Sequence, residues 1–551
     1  MAQLQALQLT PLTKMNLHYL SALRIALSIM LTWIAALQFD LPASTAAMSA
    51  AAISLIPSRG EFFIKALGRV VGTLMGFVAV IFICAPFSGD SYHFVYVVIG
   101  VIIVGSIGIS LSRGSFRYSW PIFNLTVASI CFPIINSLSL DTIIDSVINR
   151  GGAILISVIC SILVQAVIPS EKSTSNYVKT KAKLDDELTI LLSSFMTNDI
   201  YNNAVKFMSS IRGYKKSVNT IKSDPTYYDI KELIINPHYY YLLLYKLISL
   251  NQFAVKSDID DGKISEFRDL SIQTFKSQDS TDVVEFINNL EESTSADVKS
   301  FTDVARDFTD TLTHKKSPNN ILLAIRCYFA FLNVPAVALA FVNALRVFIA
   351  LMCINEYSVS TQWDFGYQAM MNTAISLSML MFVPIPNFKA LKYQFITKLG
   401  CILFALFFNF SIMPSIDNPI VYFTVNLLLI YVYSLVYMNS NRFKLIGMYY
   451  LLFWSIFIDS SNIPSYDFSH FINQSTAVLL SLIVCTIMHL LISDPDEELK
   501  FSIAIFFANT IKKLFRIRSN SNSLIMTLSF INAFTHTKQN SNSKLNNYLG
   551  L

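Results

Sequence analysis

Twelve long apolar runs constrain this chain more than any other feature. Six lie near Leu17 to Leu37, Leu41 to Ile56, Leu67 to Phe87, Phe94 to Leu111, Trp120 to Ile135 and Val147 to Ile168. Six more lie near Ala338 to Ile354, Tyr367 to Val383, Phe395 to Ile412, Ile420 to Tyr437, Leu445 to Ile458 and Phe471 to Ile492. A hydrocarbon core of about 30 Å takes roughly 20 helical residues to cross. Lipid cannot satisfy irregular backbone, so runs of this kind read as membrane-spanning helices. Only 14% of the residues are charged, against roughly 25% in a soluble domain, while 53% are hydrophobic. The expected fold class is an all-α polytopic membrane protein.

The second run is the exception within the set. It is short and rich in Ala and Ser, from Ala43 to Ala52, which suits close helix packing and equally suits a broken or re-entrant helix.

Four segments follow from the change in composition. Residues 1–169 form a first transmembrane half of six spans, 170–320 a helical domain, 321–495 a second half of six spans, and 496–551 an amphipathic tail. In the middle segment Leu184, Leu188 and Leu191, and Val298, Phe301, Val304, Phe308 and Leu312, recur at helical spacing, as the core of a helical bundle requires. Ile321 to Val334 is a short apolar lead-in carrying Arg326. In the tail, Phe501 to Arg518 is basic and amphipathic and suits the surface of an anionic leaflet.

Charge placement sets the orientation. Arg59, Lys65, Arg69, Arg113, Arg117, Lys389, Lys392, Lys398, Arg442 and Lys444 flank alternate connections, whereas the others hold Asp40, Asp90, Asp141, Asp145, Glu356, Asp364, Asp417, Asp459 and Asp467 with no Lys or Arg. By the positive-inside rule both termini and the middle domain are cytoplasmic. The formal charge of +5 gives no reason to expect a nucleic-acid partner.

The halves repeat. Arg24 in Ala-Leu-Arg pairs with Arg346 in Ala-Leu-Arg, Tyr96 with Tyr422, and Phe116-Arg117 with Phe443-Lys444, at a nearly constant offset. Each half starts inside and has an even number of spans, so the copies are expected to be parallel repeats with a site near mid-membrane at their interface. A guanidinium in a span is costly and is retained for a use. Arg24 and Arg346 either grip a substrate carboxylate with a planar donor fork, or neutralise a helix C-terminus or an acidic neighbour, or snorkel to the interface. Lys65 and Arg69 lie nearer the cytoplasmic side, where topology alone accounts for basic residues. Arg150 is expected to face the bundle interior, and Gln474 stands near its place in the second half. One composite site is therefore expected, rather than two symmetric ones.

No GxSxG, Walker A or kinase signature occurs, so the chain is not expected to be an enzyme. All seven cysteines lie in or beside apolar runs without metal-ligand spacing. Neither a metal site, a disulfide framework nor a cofactor follows.

The ordered set Ile56-Pro57-Ser58-Arg59-Gly60, Lys65-Ala66-Leu67-Gly68-Arg69-Val70-Val71-Gly72-Thr73, then Arg150-Gly151 and Pro169 resembles the fusaric acid resistance family, whose aromatic-acid efflux pumps carry such a pattern. The resemblance covers roughly residues 15 to 495. It implies an inner-membrane exporter of small aromatic or amphipathic carboxylic acids, driven by protons. A channel resembling plant malate channels and a membrane-anchored interaction module remain the alternatives. The substrate-binding candidates are Arg24, Arg346, Arg69, Arg150, Asn124, Trp120 and Trp363. The proton-coupling candidates are Asp364, Glu356 and His489, each also readable as an ordinary polar residue, as the tryptophans are as interfacial anchors. The implied partners are a small organic acid, the lipid bilayer, a periplasmic membrane-fusion adaptor and a second copy in a homodimer.

Overall fold

The computed structural model describes residues 11–55, 59–112, 117–168, 173–195, 197, 199–222, 235, 237–256, 261–277, 281–291, 296–314, 334–382, 387–416, 418–439, 443–457 and 467–492. The tail segment Phe501 to Arg518, most of the lead-in Ile321 to Val334, and Arg113, Asp417, Arg442 and Asp459 lie outside them. Among the described residues every regular element is a helix. The first half comprises α1 (Pro11–Gln38), α2 (Ala43–Ser54), α3 (Arg59–Ala79), α4 (Ser91–Leu111), α5 (Ser119–Cys131) and α6 (Leu140–Val167). Then come α7 (Ser173–Ser193), α8 (Ile200–Lys222), α9 (Pro237–Lys256), α10 (Asp261–Ser277), α11 (Thr281–Glu291) and α12 (Ala296–His314). The second half comprises α13 (Val334–Thr361), α14 (Gly366–Phe382), α15 (Asn387–Phe407), α16 (Pro419–Asn439), α17 (Lys444–Phe457) and α18 (Phe468–Leu491).

Contacts divide the chain into two compact units, one of Met1–Lys172 with Ala336–Pro495 and the other of Ser173–Pro335 with Asp496–Leu551. In the second unit the stripes behave as a bundle core: Leu184, Leu188, Leu191, Phe301, Phe308 and Leu312 are buried. Buried phenols sit among them. Tyr214 donates to the Ile235 carbonyl at 2.9 Å and Tyr239 to that of Leu312 at 3.2 Å. Burial pushes both hydroxyls above the usual tyrosine range.

Among the described residues of the first unit eight helices are long and apolar enough to cross a membrane, where the sequence suggested twelve. The other four, α2, α5, α14 and α17, have 12, 13, 17 and 14 residues. At 1.5 Å per residue the shortest reaches only about 18 Å. They pack inside the bundle: α2 meets α6 and α17, and α5 meets α3, α4 and α14. Backbone that is not helical at membrane depth is tolerated where protein covers it, and eleven of the 13 residues of α5 are buried.

The order of elements recurs in fine detail. After α3 a π turn (Val80–Cys84) and a 3-10 turn (Ala85–Phe87) close the helix, and after α15 the same pair follows at Phe408–Ile412 and Met413–Ser415. Pro86 and Pro414 lack the N–H that would reach back four residues, so the ladder changes register before it stops. Asp40 and Gln362, just beyond α1 and α13, both have φ 52°, the left-handed turn that often ends a helix.

Close helix approach explains the small residues. A methyl at Gly72 of α3 would overlap the Ser119 carbonyl of α5 and the Ile122 side chain, and one at Gly76 would meet Thr126. Across the halves α1 packs on α16, α2 on α17, and α14 on α4 and α5.

Candidate functional site

Burial selects which polar residues of the membrane unit call for explanation. Arg24, Arg69, Arg150, Arg346 and Lys398 are exposed by 1, 1, 4, 1 and 1%. All five are cations withdrawn from water, which costs several kcal/mol per ion in a protein unless partners compensate.

Arg346 has visible partners. Its Nε and Nη2 donate to the Ile492 carbonyl at 3.0 and 2.6 Å, and Nη1 donates to Asn343 Oδ1 at 3.1 Å. Ile492 is the C-cap of α18, so the guanidinium sits on a helix C-terminus, where a cation is favoured. This is the role that the sequence left open beside a carboxylate fork. Arg24 stands at the matching place on α1, and Thr32 of the same helix is hydrogen-bonded with Cys160 of α6.

Arg69 and Arg150 are arranged differently. Each lies ten residues into its helix, and α3 packs on α6, close enough for Arg150 to feel the charge of Arg69. Arg69 Nη1 is 3.4 Å from the Tyr118 hydroxyl. Among the described residues Nε and Nη2 of both arginines have no hydrogen-bond partner, nor do the hydroxyls of Thr73 and Ser119. Among the described residues no carboxylate forms an ion pair with either arginine. Thr73 is one turn beyond Arg69, and Ser119 faces the α3 surface at Gly68 and Gly72. Two like charges and two hydroxyls thus lie close together on α3, α5 and α6, a donor-rich set for which an anion would be a suitable ligand.

The other sequence candidates are dispersed. Asn124, fully buried, donates to Ser106 Oγ at 3.1 Å and across the halves to Ser378 Oγ at 2.9 Å. Trp120 packs edge-on against Phe123 at 5.8 Å, with Gly108 making room for its ring. Trp363 stands edge-on to Tyr357. Trp33 is fully buried among Tyr422, Phe423 and Trp454 of the other half.

Asp364 is exposed. Glu356, also exposed, accepts from Tyr96 of the first half at 3.4 Å. Nearby, Asp90 caps α4, and hydrogen bonding from His93 holds its carboxyl below the usual range. His489 is buried, with Nδ1 2.9 Å from the Cys485 carbonyl.

Ser139 caps α6 and Asp467 caps α18, and counted from these caps Arg150 falls opposite Val478, one turn beyond Gln474. Val478 is buried at 1% exposure, so this charge has no polar counterpart in the second half. Lys398, on α15, is the residue that the sequence reading left as a topological signal. It donates to Ser376 Oγ at 3.0 Å, and a lysine inside a span rather than at its end was the signal available.

The sequence profile of the fusaric acid resistance protein family matches residues 19–201 and 285–518. The chain is similar to the Uncharacterized transporter YdhK of Escherichia coli O157:H7, at 20% identity over 486 residues, covering 84% of this chain and 71% of that one. It is similar also to the protein of that name from Salmonella typhimurium, at 22% identity over 544 residues, covering 94% and 78%. No solved structure matches.

Proposed function

The chain belongs to the fusaric acid resistance protein family, and we propose that it is a membrane transporter that exports small organic acids through its two halves. The relatives named as transporters and the eight apolar helices support a multi-pass transporter. The observation that carries the substrate reading is the Arg69 and Arg150 pair, two buried guanidiniums with four unpartnered nitrogens. An anionic head with two or more oxygens would satisfy both forks, because a guanidinium matches a carboxylate in plane and spacing. Thr73 and Ser119 would complete the shell.

Arg24 and Arg346 then hold the ends of α6 and α18 rather than the substrate. Asn124, Trp120 and Trp363 belong to the packing between and around the halves. Coupling to protons would fall to Glu356, whose carboxylate accepts from Tyr96 and so joins the halves. The recurring element order favours parallel repeats about an axis along the membrane normal. The charge pattern favours an inner membrane with cytoplasmic termini. A periplasmic adaptor would carry the product onward, and a homodimer would bring two such pathways together.

The test is uptake of radiolabelled 4-hydroxybenzoate into proteoliposomes of the full chain with an imposed pH gradient. Faster uptake than in protein-free vesicles is expected. Equal rates with benzoates, dicarboxylates and alkyl carboxylates alike would remove the reading.

A further inference from the structure

We propose that the groove between α15 and α18 is a binding site for an anionic phospholipid, with Lys389 and Lys392 at its headgroup end. The proposal rests on the chain being a membrane protein, and it is independent of the arginine pair and of the substrate. Each helix supplies one wall. On α15 Phe388, Leu391, Phe395 and Ile396 recur at helical spacing, and on α18 Ile483 and Ile487 do the same. Such stripes on neighbouring helices normally bury one another. Here α15 packs on α18, yet the stripes line a groove of about 600 Å³, and Phe388, Phe395, Ile396, Ile483 and Ile487 stay exposed. Ligand sites occupy roughly 300–1,000 Å³.

From Phe388 to Ile396 the groove follows α15 for about 12 Å at 1.5 Å per residue. That is most of one leaflet of a hydrocarbon core about 30 Å thick. Thr486 and Lys392 are the polar residues of its lining. The Thr486 hydroxyl donates to the Leu482 carbonyl at 2.8 Å, which leaves the Lys392 ammonium to meet a ligand. Lys389, three residues earlier, shares its side of the helix, and both lysines are exposed. Among the described residues neither forms an ion pair.

The first turn of α15 holds no acid. Its lysines therefore stand near a helix N-terminus, the end where an anion is favoured and a cation is not. The end of α18, little more than a turn beyond Ile487, is already held by Arg346 on the Ile492 carbonyl. One end of the groove is thus positive and the rest is apolar. Asp494, Asp496, Glu497 and Glu498, which follow α18, would answer the charge but leave the apolar length uncovered. The basic segment Phe501 to Arg518 would cover that length with the wrong sign. A phospholipid of net negative charge meets both demands, its phosphate on the lysines and an acyl chain along the two stripes.

Photolabelling of the full-length protein in phosphatidylcholine vesicles tests this, with trace phosphatidylglycerol carrying a diazirine on one acyl chain as the probe. Wild type is expected to be labelled on α15 and α18 about tenfold more heavily than on α4, where Val104 is also exposed. A phosphatidylcholine probe of the same chain should label all three helices alike. Joint replacement Lys389→Gln and Lys392→Gln changes two exposed positions, so folding should survive while phosphatidylglycerol labelling of α15 and α18 falls to the level of α4. Ile483→Trp fills the groove, keeps both lysines and should lower the labelling as far. Should Ile483→Trp fail to fold, the lysine variant carries the test alone. Excess sn-glycerol 3-phosphate should leave wild-type labelling unchanged. Equal labelling of α15 and α18 by the two probes would overturn the proposal. So would unchanged labelling in the lysine variant, the result if those lysines pair with the acids beyond α18, or in folded Ile483→Trp. Displacement by glycerol phosphate would make this a site for a soluble phosphate and overturn the lipid.

Discussion

Asn124 donates to Ser378 Oγ at 2.9 Å, so a fully buried amide of α5 ties the first half to α14 of the second. The same amino group donates to Ser106, which fixes its direction. Removing the amide in Asn124→Ala leaves two buried hydroxyls short of a donor and should cost about 1–3 kcal/mol. Ser378→Ala should cost less, because Ser106 still accepts from Asn124. A double-mutant cycle on thermal denaturation is expected to show coupling of about 0.5–1.5 kcal/mol. Additive losses would mean that this contact does not join the halves.

Arginines on helix ends should report on stability and not on binding. Arg346→Lys keeps the charge but cannot reproduce the paired donation from Nε and Nη2 to the Ile492 carbonyl. We expect a lower melting temperature, a similar loss in Arg24→Lys, and little change in organic-acid affinity for either. A tenfold loss of affinity at unchanged melting temperature would return either residue to the substrate site.

Tight helix contact gives a steric prediction. Gly72→Ala sets a methyl against the Ser119 carbonyl and Ile122, and neither backbone can retreat without parting α3 from α5. Overpacking of this kind typically costs about 1–3 kcal/mol. Gly400→Ala, whose added methyl meets nothing within 4 Å, should be close to neutral. Equal expression and melting of the two variants would contradict the packing described for α3.

Much of this fold was legible because lipid allows so few structures. Eight of the twelve apolar runs are helices long and apolar enough to cross a membrane, and the Ala-Leu-Arg phrase, with Arg24 and Arg346, suggested a duplication. Of the short helices only α2 was legible as short. Residues such as Pro121 to Ile130 in α5 are apolar because protein surrounds them, and composition does not distinguish a protein interior from lipid. Lys398 was read as a topological signal, and Arg69 as one as well as a substrate-binding candidate, for a related reason. The positive-inside rule counts charges near span ends, and only the packing of α3 on α6 and of α15 on α17 shows that these two are buried. The role of Arg346 depended on the end of a helix almost 150 residues later in the chain, which no local pattern encodes.

Glu356 offers a test of coupling. Glu356→Gln retains an acceptor for Tyr96 but removes the proton-dependent charge, so exchange of substrate across vesicles should persist while acceleration by a pH gradient disappears. Retained acceleration would exclude Glu356. Currents carried by wild type with no imposed gradient would point to a channel.

The most direct measurement is the affinity of the purified full-length protein for a compact dianion, with phthalate as the probe, in wild type and Arg150→Gln. Glutamine keeps a hydrogen-bonding side chain on α6 and removes one of the two charges that face each other, so folding should survive and phthalate should bind about tenfold more weakly or worse. Arg69→Gln should behave alike, and the double variant should lose little more, because one anion spans both forks. Wild-type affinity in Arg150→Gln at an unchanged melting temperature would contradict the account.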